Sequence, residues 1–234
     1  MQDRLQSYPR VSMTVSKRRY GESWRGAAFC LVAFSVWVIV PALVSLQVGA
    51  MSTSARLAAQ HITGILILGP LYLLQSRYFQ GLGGRGAISR RAYVTGLTAV
   101  AALYAISEII EWVQGIPLEP WLSFVTNADL SQLIFIALLA IVVAPISEEL
   151  AFRHFLLAAL PFKRNRFYTV SAVLVGATVF MLMHSYEFWV TNVLMFLLAV
   201  VFAVARIKTG GLLLPILLHG AAGALGMTII LIRS

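Results

Sequence analysis

Two adjacent carboxylates, Glu148 and Glu149, lie inside an apolar stretch of the sequence, residues 140–160. An ionised carboxylate at the centre of a bilayer costs about 3 kcal/mol or more to insert. Carboxyl groups held in low-dielectric surroundings are also candidates for acid–base catalysis. The pair therefore predicts either proton transfer or ion pairing within the membrane.

A cation suited to one of these carboxylates follows on the same predicted helix. Arg153 lies four residues after Glu149, a spacing that places both side chains on one helical face in the favourable order. Charges inside a membrane normally pair with one another. We therefore predict an ion pair between Glu149 and Arg153, which leaves Glu148 free to exchange a proton.

Two of the four histidines lie at a depth where they could work with Glu148. The helical rise puts Glu148 about 18 Å, His219 about 14 Å and His184 about 25 Å from the cytoplasmic ends of their helices. The three converge if the helix of His184 is tilted or begins below the membrane surface, which we expect. His61 has no acidic residue near it in sequence.

The composition indicates how these residues are held. The chain of 234 residues is 59% hydrophobic and 12% charged, and its mean hydropathy is +0.84. Soluble domains carry about 25% charged residues. Residues 26–55 and 57–76 contain no charged side chain, and about 20 apolar residues suffice to cross a bilayer as a helix. We predict an all-α integral membrane protein.

Seven membrane-spanning helices are predicted, and an eighth if the fourth breaks at Pro145. Their approximate ranges are 26–50, 57–75, 92–114, 130–160, 167–189, 190–205 and 211–232. Lys and Arg number six, one, four, zero, three, zero, two and one in the successive segments between them. This alternation places the N-terminus in the cytoplasm. Because the basic residues lie in these connecting segments, we interpret the net charge of +9 as a determinant of orientation in the cell membrane and expect no nucleic-acid binding.

Three motifs in order resemble a known family. They are Glu148-Glu149-x-x-x-Arg153, Phe180-x-x-x-His184 and His219 in the last span. This pattern is similar to that of the CAAX-protease and bacteriocin-processing family of intramembrane proteases, also named CPBP or Abi. The resemblance implies a catalytic core over 130–234, preceded by N-terminal transmembrane helices over 26–129 and a basic cytoplasmic tail over 1–25.

The resemblance implies hydrolysis of a peptide bond inside the membrane. Glu148 would take a proton from water, His184 would orient that water, and His219 would donate to the carbonyl oxygen. Glu149 and Arg153 would support them. We expect no cofactor, with zinc as the competing idea, because one Glu and two His make an acceptable three-ligand site although H-E-x-x-H is absent. Partners would be membrane lipid and a peptide or protein substrate, lipidated or carrying a C-terminal or leader signal.

One departure from the family pattern leaves alternatives open. The third motif usually reads His-x-x-x-Asn or His-x-x-x-Asp, and here the last position is Gly223. Asn192 is the nearby candidate to supply the missing group. Losing one donor to the oxyanion costs about 10²–10³-fold in rate. The alternatives are a catalytically impaired member that acts by binding, as in bacteriocin immunity, and a small proton-coupled transporter that uses a Glu/His relay.

Overall fold

The structure is a computed structural model that describes residues 24–47, 52–78 and 86–234. Within these ranges the chain is helical and has no strand, and seven helices are long and apolar enough to cross a membrane. The predicted integral membrane bundle is therefore confirmed. The basic tail over 1–25 falls almost entirely outside the described residues.

The helices follow one another in simple order along the chain. They are α1 (Trp24–Gln47), α2 (Thr53–Tyr78), α3 (Arg90–Gln114), the short α4 (Ser123–Thr126), a long helical span (Leu130–Ala159), α8 (Arg166–His184), α9 (Trp189–Thr209) and α10 (Leu213–Arg233). We call Leu130–Ala159 the motif helix, because it carries the adjacent glutamates. It contains α5 (Leu130–Leu138), α6 (Ala144–Glu148) and α7 (Leu157–Ala159).

The motif helix does not break at Pro145, so the eighth span is not formed in the described part of the chain. Two wide π-helical segments, Leu139–Val143 and Glu149–Leu156, join its α-helical turns. A proline has no N–H to donate and crowds the preceding turn. Pro145 is the second residue of α6, two positions after the end of the first wide segment, in which hydrogen bonds reach one residue further back than in an α-helix.

The boundary between α8 and α9 differs from the prediction. We expected helices over 167–189 and 190–205, but α8 ends at His184, and α9 begins only after a turn over residues 185–188. Ser185 adopts the left-handed conformation, with φ of 50°. The carboxylate of Glu119 holds this turn, because it accepts the backbone N–H groups of Glu187 at 3.0 Å and Phe188 at 3.1 Å. His184 therefore lies at a helix end beside a loop.

The N-terminal helices share a core with the motif helix. Trp37 of α1 donates its indole N–H to the hydroxyl of Ser147 at 3.0 Å. On α2, a Cβ added to Gly64 would lie 2.5 Å from Trp37 Nε1 and 2.6 Å from Ser147 Oγ. The glycine thus permits a close approach of α2 to the glutamates. The shared core includes Phe34, Trp37, Leu68, Leu150, Phe152, Phe155 and Phe180.

Candidate active site

Glu148 lies at the centre of a cluster of three imidazoles. Its carboxylate Oε2 is 3.6 Å from Nε2 of His219 and 3.9 Å from Nε2 of His184, and its Oε1 is 3.8 Å from Nε2 of His61. Glu148 itself is 8% exposed. The three residues predicted to converge therefore lie together, and a fourth that was not predicted lies with them.

The ring of His184 is fixed on both sides. Its Nδ1 donates to the backbone carbonyl of Phe180 at 2.8 Å, and the Phe180 ring lies 4.3 Å from its centroid. Tyr186 stacks on the ring at 5.8 Å with an angle of 20°. Because Nδ1 carries the proton, Nε2 of the neutral ring presents a lone pair to Glu148.

His219 is fixed by the second glutamate. Its Nδ1 donates to Glu149 Oε1 at 2.9 Å, and Phe202 stacks on the ring at 4.8 Å with an angle of 19°. A carboxylate on one imidazole nitrogen sets the orientation of the ring, as in the Ser-His-Asp triad. Glu149 thus orients His219 in addition to pairing with a cation, a role the sequence analysis did not assign.

The ion pair between Glu149 and Arg153 is present and buried. Arg153 NH1 lies 3.1 Å from Glu149 Oε1, and the two side chains are 3% and 0% exposed. The other terminal nitrogen of Arg153 donates to the carbonyl of Ala199 on α9 at 3.3 Å. The guanidinium also lies over three aromatic rings, at 4.7–5.6 Å from their centroids: Phe152, Phe180 and Phe202. This pair joins the motif helix to α8 and α9.

His61 is the site residue that sequence reasoning missed. It is on α2 and is 8% exposed, and its partner Glu148 is distant along the chain and close only after folding. The signal available in the sequence was its position within the uncharged stretch 57–76. A polar side chain in such a stretch normally faces the interior of a helix bundle.

The structure gives a packing reason for Gly223. A Cβ built on this residue would lie 2.4 Å from the carbonyl oxygen of Ala140, and one on Gly220 would lie 2.6 Å from that of Ile141. Helix α10 thus meets the motif helix backbone to backbone through small residues, as is common in membrane proteins. Asn192 does not replace the Asn or Asp side chain of the third motif with its amide N–H groups. These groups donate to the carbonyls of Tyr186 at 2.9 Å and Phe188 at 3.0 Å.

We expect that restoring a side chain at position 223 destabilises the protein. Gly223→Ala should lower the free energy of unfolding by about 1–3 kcal/mol, the usual cost of overpacking, and Gly223→Asn by at least as much. The matched control is Gly176→Ala on α8, where an added Cβ has no neighbour within 4 Å. Unfolding in detergent micelles measures both. Equal stability of the two alanine variants would contradict the packing argument.

Tyr186 closes the site on the side of the 185–188 turn. Burial, with added effects of Tyr104 and Glu148, raises the pKa of Tyr186, so its hydroxyl remains protonated at neutral pH. A cavity of about 110 Å³ lies against this residue and is also lined by Tyr104, Glu108, Leu194 and Arg233. The cavity therefore lies next to the residue that stacks on His184.

Within the ranges 24–47, 52–78 and 86–234, no group of three or more His, Cys, Asp or Glu side chains has an arrangement that could hold a metal ion. The glutamates and histidines of the site contact one another through hydrogen bonds and close charge contacts.

The similarity of this chain to known proteins is consistent with the three motifs. Residues 130–225 match the family model described as Type II CAAX prenyl endopeptidase Rce1-like. An uncharacterized 24.3 kDa protein of Escherichia coli is 28% identical over 170 residues, which are 71% of this chain and 77% of that protein. No solved structure matches significantly. The matched segment contains Glu148, His184 and His219 but not His61. The resemblance is therefore confirmed over residues 130–225, which are similar to the Rce1-like CAAX prenyl endopeptidases.

Proposed function

We propose that this protein is an intramembrane endopeptidase in which Glu148 activates a water molecule to hydrolyse a peptide bond. One observation carries the proposal. Nε2 atoms of His184 and His219, on two different helices, lie within 4 Å of one carboxylate oxygen of Glu148 inside a membrane span. The family match supports peptidase chemistry at the level of the family.

The first chemical step forms a tetrahedral intermediate. Glu148 accepts one proton of the water while the water oxygen bonds to the carbonyl carbon, and the electron pair of the C=O π bond moves to the carbonyl oxygen. His184 accepts a hydrogen bond from the other O–H of the water through the lone pair on Nε2, and this O–H bond stays intact while its direction fixes the line of attack. A positioned general base contributes about 10²–10⁴-fold to such a step.

The second step releases the two products. An electron pair of the oxyanion re-forms the C=O bond as the C–N bond breaks, the C–N electron pair stays on nitrogen, and the proton held by Glu148 moves to that nitrogen. His219, protonated and paired with Glu149, directs its Nε2–H at the carbonyl oxygen while negative charge is present there. Donors fixed in advance stabilise that charge because they need no reorganisation during the reaction.

The family description and the distribution of charge support a substrate class and an orientation. The family description favours a prenylated C-terminal peptide as substrate, and leader or sorting signals are the other candidates. Clusters of Lys and Arg on alternate sides of the spans favour an N-terminus in the cytoplasm and a location in the cell membrane. The protein would then receive its substrate from the surrounding lipid.

The test is cleavage of a defined probe by the full chain in detergent micelles. The probe is an internally quenched farnesylated peptide with a C-terminal CAAX sequence, and the same peptide without the farnesyl group is its control. We expect cleavage at one peptide bond, identified by mass spectrometry, with the farnesylated peptide preferred. Membrane-peptide termini in cells with and without the gene test other substrates. No cleavage in either experiment would favour the binding-only alternative.

We expect the activity to be independent of metal. Because the proposed steps use only side chains and water, cleavage should be unchanged, within about twofold, after treatment with EDTA or 1,10-phenanthroline. The measurement compares initial rates before and after treatment, and after adding zinc back. A loss that zinc restores would replace this mechanism with metal-assisted hydrolysis.

A further inference from the structure

His61 belongs to the site by contact, although no family motif includes it. It lies on α2, outside the matched residues 130–225. Its Nε2 lies 3.8 Å from Oε1 of Glu148, whereas the other two imidazoles lie near Oε2. Any small group bound at Glu148 is therefore within reach of His61.

The position of His61 depends on a specific packing contact. Gly64 lies one turn further along α2, where the helix meets Trp37 and Ser147 so closely that a Cβ would overlap both. The hydrogen bond from Trp37 to Ser147 fixes the opposite side of the contact, at the residue before Glu148. Helix α2 is thus held against the catalytic glutamate by side chains that have no chemistry of their own.

The three imidazoles differ in whether their Nδ1 atom has a hydrogen-bond partner. His184 and His219 each donate from Nδ1, to the carbonyl of Phe180 and to Glu149 respectively. When neutral, both therefore present a lone pair at Nε2. The Nδ1 of His61 is buried and has no hydrogen-bond partner among the residues that the structure describes. His61 can therefore carry its proton on Nε2 and donate it while remaining neutral.

We propose that His61 is a catalytic residue whose Nε2–H donates to the carbonyl oxygen of the substrate as negative charge develops. The inference rests on the proposed endopeptidase function. His61 would supply a second donor in addition to His219. Gly223 has no side chain that could act as this donor, and the close packing at position 223 leaves no room for one. A neutral imidazole is an effective donor to such an oxygen, because its proton is not lost to Glu148 beforehand.

The kinetic test compares His61→Ala, His61→Gln and Glu148→Gln with the parent protein on the farnesylated quenched peptide. We expect His61→Ala to lower kcat by about 10²–10³-fold with little change in KM, the effect of removing one oxyanion donor. His61→Gln, which retains an N–H donor, should recover at least part of that loss. A kcat for His61→Ala within threefold of the parent, or equal kcat values for both His61 variants, would overturn the proposal.

A second measurement does not depend on activity or on a stable alanine variant. ¹⁵N spectra of histidine-labelled full-length protein in micelles report which ring nitrogen carries a proton, and His61→Gln identifies the His61 signals. We expect a protonated Nε2 on His61 and a protonated Nδ1 on His184. An unprotonated Nε2 on His61 would overturn the inference and leave the proposed function standing. Full activity of Glu148→Gln would instead overturn the proposed function.

Discussion

Glu148→Gln should lower kcat on the farnesylated probe by about 10²–10⁴-fold, the contribution of a general base. The amide has nearly the same size and can still accept a hydrogen bond, but it cannot take a proton from water at neutral pH. Binding of the probe should change little, because the substitution removes a group needed at the reacting atoms. The measurement is kcat and KM in micelles at constant lipid content.

The matched control is Glu187→Gln. Glu187 is an exposed carboxylate in the 185–188 turn, and its backbone N–H remains available to Glu119. This variant should keep the parent kcat. Since Glu148 is buried among imidazoles, each variant is also compared with the parent by thermal unfolding. Glu148→Gln that folds normally and retains the parent kcat would rule out Glu148 as the base.

Arg153→Met should destabilise the fold more than any other substitution considered for this site. Removing one partner of a buried ion pair costs about 3–5 kcal/mol, because the remaining charge stays desolvated and unpaired. Here that charge is Glu149, which is 0% exposed and would keep only its hydrogen bond from His219. The contacts of the guanidinium with Ala199 and the three phenylalanine rings are lost as well. Chemical unfolding in mixed micelles measures the change.

Two further variants separate charge from packing. Arg91→Met removes an exposed arginine from α3 and should change the free energy of unfolding by less than about 0.5 kcal/mol. The double variant Glu149→Gln/Arg153→Met removes both charges and should lose less stability than the sum of the single losses, since contacting residues are not additive. Strict additivity would argue against the ion pair as the source of the effect.

Much of the fold could be predicted from the distribution of charge. Long uncharged stretches and the alternating Lys and Arg clusters were enough to predict seven spans, and the part of the chain that the structure describes contains seven. The end of α8 could not be predicted, because residues 185–188 include neither Gly nor Pro. The helix is stopped there by tertiary hydrogen bonds to Glu119, a residue 68 positions before Glu187.

The site was predictable where its residues share one helix or one motif. The spacing of Glu149 and Arg153 was sufficient for the ion pair, and the motif pattern was sufficient to group Glu148 with His184 and His219. The contact of His61 was not predictable, since it depends on the close approach of α2 at Gly64. The reason for Gly223 was likewise hidden, because a backbone carbonyl of another helix occupies the space of its side chain.

Helical periodicity also gave an incomplete account of the motif helix. Amphipathic reasoning expects one buried face, yet all residues of the π-helical segment 149–156 are buried. His154 forms a hydrogen bond with Gln75 of α2, and the amide nitrogen of Gln75 donates to Sγ of Cys30 on α1 at 3.2 Å. The segment is enclosed by other helices all round, which a period of 3.6 residues does not anticipate.

The contribution of α2 to the carboxylate cluster means that the first two helices are more than a membrane anchor. A shortened protein starting at Arg90 would retain every family motif and all of the segment that matches the family model. It would also expose the apolar surface of Phe152 and Phe155 to lipid and leave Glu148 without its third imidazole. Swapping domains between such proteins at that boundary would therefore transfer the motifs but not the complete cluster of imidazoles around Glu148.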